Sequence, residues 1–234
     1  MKKEVVDPTW VYREIFYMLY LFYKKYGNAS GQILYTSLLL DKECQTLFTS
    51  IKNLDTPSID PYTLFSILAG KRLNDSIKTK RINWIFRVLD GHCKYDEIID
   101  FPESDLPQFG ENDVIEYWRI PMVNSAVVER NLETQNKIWK VFEELLDSDV
   151  PYCAFTEDIY KRCSFHYCTF SNFTIFLHSA VDDSFFPLTA QNRKMIKERN
   201  GIKRCTYKNY SSYIGVVERT VGEREEYKNP KYLL

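Results

Sequence analysis

Residues 10–26 read WVYREIFYMLYLFYKKY, a run that places apolar or aromatic side chains around nearly the whole circumference of a helix. Asp7 and Pro8 precede this run as a helix N-cap and first-turn pair. The sequence GNASG at residues 27–31 follows it and stops the helix. A helix that is apolar on most sides is buried on most sides. The run therefore predicts a largely buried helix near the start of the chain.

Helical spacing of apolar residues recurs along most of the remaining sequence. It predicts further helices at about residues 32–51, 62–69, 76–89, 124–146, 171–181, 190–199 and 207–221. The core candidates in the predicted helices at 76–89 and 124–146 are Ile82, Ile85, Phe86, Leu89, Val128, Leu132, Ile138, Phe142 and Leu145. Because no segment alternates polar and apolar residues as a half-buried strand does, we predict an all-α, mainly helical fold. We expect a globular multi-helix array, which the pattern allows to form either one lobe or two.

The helical pattern is interrupted in the middle of the chain. From Asp90 to Tyr117 the periodicity fails, and Pro102, Pro107 and Gly110 stand among acidic residues. We therefore predict an N-terminal helical lobe at 1–95, an acidic proline-containing connection at 96–120 and a C-terminal helical lobe at 121–222. Residues 223–234 are predicted to form a tail.

Composition narrows the class of protein. The 234 residues are 44% hydrophobic and 27% charged, which excludes disordered and low-complexity chains. No apolar region typical of a secretory signal follows the charged start, and the longest apolar run near it, residues 15–23, is far shorter than the roughly 20 residues of a membrane span. The six cysteines show no disulfide-framework spacing. These observations predict a cytoplasmic chain with no membrane partner.

Charge is divided by region although the net charge is only −1. Residues 71–87 carry six basic side chains against one acidic, residues 193–208 carry seven against one, and residues 90–149 are mainly acidic. If the basic stretches share one face, they attract a polyanion such as nucleic acid. The alternative is that they are solvated helix faces or dock on the protein's own acidic middle. The candidate nucleic-acid-binding residues are Arg193, Lys194, Lys197, Lys203, Arg204 and Lys208.

One histidine has carboxylates within reach along the sequence. His178 and Asp182 are one helical turn apart, with Asp183 next, so an imidazole and a carboxylate can share a face as an acid–base pair requires. We therefore take His178, Asp182 and Asp183 as candidate catalytic residues. The alternative is a histidine at a helix end followed by a solvated acidic turn.

Motifs for metals and cofactors are weak or missing. Cys163, His166 and Cys168, with Cys153 upstream and His92-Cys93 in the first half, are soft ligands, but their spacing matches no regular zinc pattern. No glycine-rich phosphate loop or dinucleotide fingerprint occurs. We therefore predict neither a metal nor a cofactor.

A segment near the C-terminus resembles a known group of proteins. It runs from Phe173 to Val217 and contains Phe176-Leu177-His178, the sequence FFPL at 185–188, the sequence RKMI at 193–196 and the tyrosines between 207 and 213. It resembles a segment of uncharacterised bacterial proteins distantly similar to helix-hairpin-helix DNA glycosylases. The resemblance implies an all-helical fold and a role in recognising or excising a flipped base. Thr189-Ala190-Gln191 stands where those proteins carry an aspartate.

Together these patterns favour a helical nucleic-acid-associated protein, with a glycosylase-like role in bacterial defence or repair. The alternative is a protein-interaction or adaptor module without catalysis. A third class, a small-molecule enzyme, requires His178 and Asp182 to converge on a cavity.

Overall fold

The computed structural model describes residues 10–40, 57–68, 75–93, 131–147, 159–163, 168–181, 185, 187–188, 193–194 and 197–198. These residues are mainly helical and include no β-strand, which confirms the predicted all-α class. The helices are α1 (Trp10–Tyr26), α2 (Ser30–Leu40), α3 (Pro61–Leu68), α4 (Asp75–Cys93), α5 (Leu132–Asp147) and α6 (Phe170–Ala180), and a 3₁₀ turn at Gly27–Ala29 joins α1 to α2. The predicted helices at 190–199 and 207–221 lie wholly or largely outside the described residues.

Helix α1 lies at the centre of this arrangement, in contact with α4, α5 and α6. Its buried residues are Tyr12, Ile15, Phe16, Met18, Leu19, Phe22 and Tyr23, and its exposed ones include Tyr17, Lys24 and Lys25. Helix α1 is therefore buried along one broad face, which is narrower than the predicted burial on most sides. It ends where Gly27 adopts a φ of +56°, a left-handed conformation that glycine reaches without steric cost.

The ring of Phe16 joins helices from distant parts of the chain. It packs edge to face against Phe65 of α3, Phe142 of α5 and Phe176 of α6, with centroid distances of 6.1, 5.9 and 5.7 Å. Edge-to-face pairs at this separation are favourable because the positive edge of one ring meets the negative face of another. The described helices of both predicted lobes thus contribute to one hydrophobic core. The predicted domain boundaries themselves remain a prediction.

Polar side chains fix where three helices begin. Asp60 accepts a hydrogen bond from the Thr63 backbone at the start of α3, Asn131 accepts one from Thr134 at the start of α5, and Thr169 accepts one from Asn172 at the start of α6. Each is an N-cap that satisfies a free backbone N–H of the first turn. Asn131 therefore starts α5 at Leu132, which interrupts the continuous helix expected from about Asn124 to Leu146, and residues 124–130 lie outside the described residues. Leu132, expected in the core, is 51% exposed, whereas Ile138, Phe142 and Leu145 are buried as predicted.

A close approach at Gly31 joins α2, the loop before α3 and α5. The carbonyl of Gly31 accepts a hydrogen bond from the Ile59 backbone at 3.0 Å, and Gln135 of α5 donates to the Ser58 carbonyl at 3.2 Å. A β-carbon at Gly31 would lie 2.3 Å from Ser58 Oγ and 2.9 Å from the Ile59 carbonyl oxygen. Only glycine fits here without a shift of the neighbouring chain.

Arg81 connects α4 to the end of α3. Its side chain is buried, and Nη1 donates a 2.6 Å hydrogen bond to the carbonyl of Ile67 in the last turn of α3. Burial lowers the pKa of Arg81 to about 10. A cation at a helix C-terminus pairs favourably with the unsatisfied carbonyls there. Arg81 thus positions α3 against α4.

Among the described helices, none has both the length and the run of apolar residues that crossing a lipid bilayer demands.

Candidate functional site

The predicted catalytic histidine lies on a helix that the protein encloses. Every residue of α6 from Phe173 to Ala180 is buried, and the His178 side chain is only 4% exposed. Helix α6 contacts α1 and α3, where Phe176 packs against Phe16, Tyr62 and Phe65. His178 therefore belongs to the core of the molecule, not to an open surface.

The imidazole of His178 holds a backbone carbonyl. Its Nδ1 lies 2.9 Å from the carbonyl oxygen of Phe185. Because a carbonyl oxygen only accepts, Nδ1 carries the proton in this hydrogen bond.

A second hydrogen bond ties the following residues to the same helix. The hydroxyl of Thr174 donates to the Ser171 carbonyl at 2.8 Å and accepts from the Leu188 backbone N–H at 2.9 Å. Phe185, Pro187 and Leu188 are buried, and we call these three residues the corner. The corner is recognisable in the sequence as an apolar motif, but the role of Thr174 is not, because its only signal is a hydroxyl within an apolar helix.

The predicted partners of His178 fall outside the part of the chain that the structure describes. Asp182 and Asp183 are both in this position, so the pairing of His178 with Asp182 stays a prediction. What the geometry supports for His178 is a buried imidazole that fastens the corner to α6. Acid–base chemistry by Nε2 would also need a path for substrate to reach a side chain that is almost fully enclosed.

Only some of the predicted nucleic-acid-binding residues belong to the part of the chain that the structure describes. Arg193, Lys194 and Lys197 are exposed, and we call these three residues the basic segment. Lys194 Nζ lies 3.9 Å from a carboxylate oxygen of Glu198, a loose pair in which both side chains remain largely solvated. Lys203, Arg204 and Lys208 lie outside the described residues, so their position remains a prediction.

The other basic stretch, residues 71–87, is not uniformly a solvent-facing surface. Lys80 and Arg87 are exposed on α4, but Arg81 is buried against the end of α3. Arg81 is therefore withdrawn from any basic face. Trp84 and Ile85 on the same helix are also buried.

The two described cysteines are core residues. Cys163 and Cys168 are free thiols and both are buried. Burial is the main cause that raises the pKa of Cys163, so its thiol stays protonated at neutral pH and is a poor nucleophile. Within the described ranges, no group of three or more His, Cys, Asp or Glu side chains could hold a metal ion. Cys153 and His166 are outside those ranges.

A polar cluster that was not predicted from the sequence lies between α1 and α5. Lys24 Nζ lies 2.9 Å from carboxylate oxygens of both Glu143 and Asp147, and the Tyr20 hydroxyl donates to Asp147. Beside it, Tyr17 is 40% exposed and its ring stacks on that of Tyr20, with centroids 6.1 Å apart. The spacing of positions 17, 20 and 24 on one face of a helix is the signal that could have revealed this surface.

Comparisons with protein-family models, with curated proteins and with solved structures found no match to this chain.

Proposed function

We propose that this protein associates with nucleic acid in the bacterial cytosol through its C-terminal basic residues. The observation that carries the proposal is the exposure of Arg193, Lys194 and Lys197 within five consecutive positions, where the nearest carboxylate oxygen of Glu198 is as far as 3.9 Å from Lys194 Nζ. Lys203, Arg204 and Lys208 extend the proposed interface along the sequence. Solvated cations of this kind bind phosphates and release the counterions that surround a nucleic acid.

The finer form of the proposal is a glycosylase-like role in bacterial defence or repair. Its support is the local resemblance over residues 173–217, and it assigns His178, Asp182 and Asp183 to catalysis. The enclosure of His178 and its bond to the Phe185 carbonyl favour nucleic-acid binding over excision. Incubation with DNA duplexes that carry damaged bases tests the finer form. Release of a free base would support excision, whereas binding of these duplexes without release of a base would support binding alone.

If the basic segment binds phosphates, the affinity of the protein for DNA should fall steeply as the salt concentration rises. Binding of a short fluorescent DNA duplex, followed by anisotropy, should weaken as salt rises, with a log–log slope of about −0.9 for each phosphate neutralised. The combined replacement of Arg193, Lys194 and Lys197 by Gln should make that slope shallower, because up to three phosphate contacts are lost.

The matched control removes the same number of positive charges elsewhere. Lys137, Lys140 and Lys161 are exposed, and their combined replacement by Gln should leave the slope close to that of the wild type. Absence of binding at low salt, or equal losses in the two triple variants, would rule out an interface at the basic segment.

A protein-interaction role is the second candidate, and one observation favours it. Tyr17 and Tyr20 form an aromatic surface beside the carboxylates of Glu143 and Asp147. Tyrosine is enriched at protein interfaces because its ring supplies contact area and its hydroxyl a hydrogen bond. Light scattering that gives a dimer for the wild type and a monomer for Tyr17→Ser would support this role.

A further inference from the structure

Two buried hydrogen bonds fasten the corner to α6. One joins His178 Nδ1 to the Phe185 carbonyl, and the other joins the Leu188 backbone N–H to the Thr174 hydroxyl, both at 2.9 Å. Hydrogen bonds away from water are costly to break, because each group left behind is desolvated and unsatisfied. The two ends of the corner are therefore fixed independently.

The helix on the other side of these bonds is itself rigidly held. Phe176 of α6 packs against Tyr62 and Phe65 of α3 and against Phe16 of α1, at centroid distances between 5.4 and 5.7 Å. Close-packed interiors transmit displacements because they contain few voids into which side chains can move. The corner is thereby anchored to the main hydrophobic core.

The corner lies immediately before the basic segment along the chain. Four residues separate Leu188 from Arg193, so the Cα atoms of the two residues lie at most about 18 Å apart even when the chain between them is fully extended. Fixing Leu188 therefore restricts where the exposed cations begin relative to the core.

We infer that Thr174 is a positioning residue for the nucleic-acid interface, with His178 as its companion at the other end of the corner. This inference rests on the proposed function. Thr174 makes no contact with nucleic acid in this scheme. Its hydroxyl holds Leu188 and thereby limits the region that the basic segment can reach, so that less freedom of the cations is lost when a phosphate backbone binds.

The test compares Thr174→Val with Thr174→Ser and with Thr36→Val. Valine keeps the shape of threonine but accepts no hydrogen bond, whereas serine keeps the hydroxyl. Thr36 on α2 is an exposed control whose hydroxyl donates only to a carbonyl of its own helix, that of Gln32 at 2.9 Å. Thr174→Val should weaken binding of a DNA duplex by roughly fivefold, the size of one hydrogen bond, and the other two variants should bind like the wild type.

Hydrogen exchange supplies a readout that does not depend on DNA. The Leu188 amide should exchange slowly in the wild type and in Thr174→Ser, and faster in Thr174→Val, while amides in α1 keep their protection. In the wild type, an unprotected Leu188 amide would by itself overturn the inference.

The outcomes separate this inference from the proposed function. If the wild type binds DNA through the basic segment but Thr174→Val binds equally well, the positioning role is overturned and the proposed function stands. If the wild type binds no DNA at low salt, both are overturned. Weakened binding by Thr174→Val, rescued by serine and accompanied by faster exchange at Leu188, supports the inference.

Discussion

At the scale of single residues, this fold depends on a glycine at a close contact between chain segments and on an arginine that is buried. Gly31 leaves room for the loop before α3, and Arg81 donates a hydrogen bond to a carbonyl at the end of α3 instead of facing solvent. Neither role is visible locally, because a glycine after a turn and an arginine in a basic stretch have common alternative explanations. Burial of an arginine is also unusual enough that a sequence pattern does not predict it.

Replacement of Gly31 by alanine should destabilise the protein. The added β-carbon meets the Ser58 hydroxyl and the Ile59 carbonyl oxygen at distances no real contact allows, so the loop and α5 must shift. Overpacking of this kind costs about 1–3 kcal/mol of the free energy of unfolding, measured by urea denaturation.

Gly91 provides the matched control for this substitution. A β-carbon there has nothing within 4 Å, and the residue lies in α4. Gly91→Ala should stabilise the protein, by up to about 1 kcal/mol, because alanine has the higher helix propensity. Similar effects of the two substitutions would contradict the close packing at Gly31.

At the scale of helices, the sequence predicted most elements but not how they meet. The ends of α1, α3 and α6 lie within about one residue of their predicted positions, because apolar periodicity and turn residues agree there. The interruption at Asn131 was not predicted because apolar residues continue before it at helical spacing, whereas the Asn131 side chain caps α5. The hydrogen bonds of His178 and Thr174 with the corner form only when the chain folds back on α6, so no local sequence pattern predicts them.

The polar cluster between α1 and α5 should give the protein a specific acid sensitivity. Hydrogen bonds from Tyr20 and then from Lys24 lower the pKa of Asp147 below its ordinary value of 3.8. A carboxyl with a lowered folded-state pKa adds stability above its unfolded pKa and loses that contribution as pH falls through the folded value. Asp147→Asn should therefore reduce the free energy of unfolding at pH 7, and the difference from wild type should shrink below about pH 4.

Glu133→Gln is a suitable comparison for Asp147→Asn. Glu133 pairs with Lys137 one turn along the same helix, so its loss leaves the packing of α1 on α5 unchanged. Both substitutions should matter less in 1 M salt, since these side chains are solvated and their attraction is screened. A difference between Asp147→Asn and wild type that is constant from pH 3 to pH 7 would argue against the ionic contacts of Asp147.

At the scale of the whole molecule, the described helices behave as parts of one core. We expect single-tryptophan variants that retain Trp84 of α4 or Trp139 of α5 to unfold in one transition each. In both variants, the fluorescence midpoint in urea should coincide with the midpoint from far-ultraviolet circular dichroism, because Phe16 connects the helices of the two predicted lobes. A fluorescence midpoint that departs from the circular dichroism midpoint would instead indicate two independently folding lobes.

The contacts of Phe16 also bear on how this sequence can change over evolutionary time. A single ring meets partners from residues 65, 142 and 176, so neither half of the described chain contains every surface that its core requires. Recombination that exchanged one half with that of an unrelated protein would expose aromatic faces on both products. The halves are thus expected to be inherited together, with compensating substitutions confined to the faces that meet at Phe16.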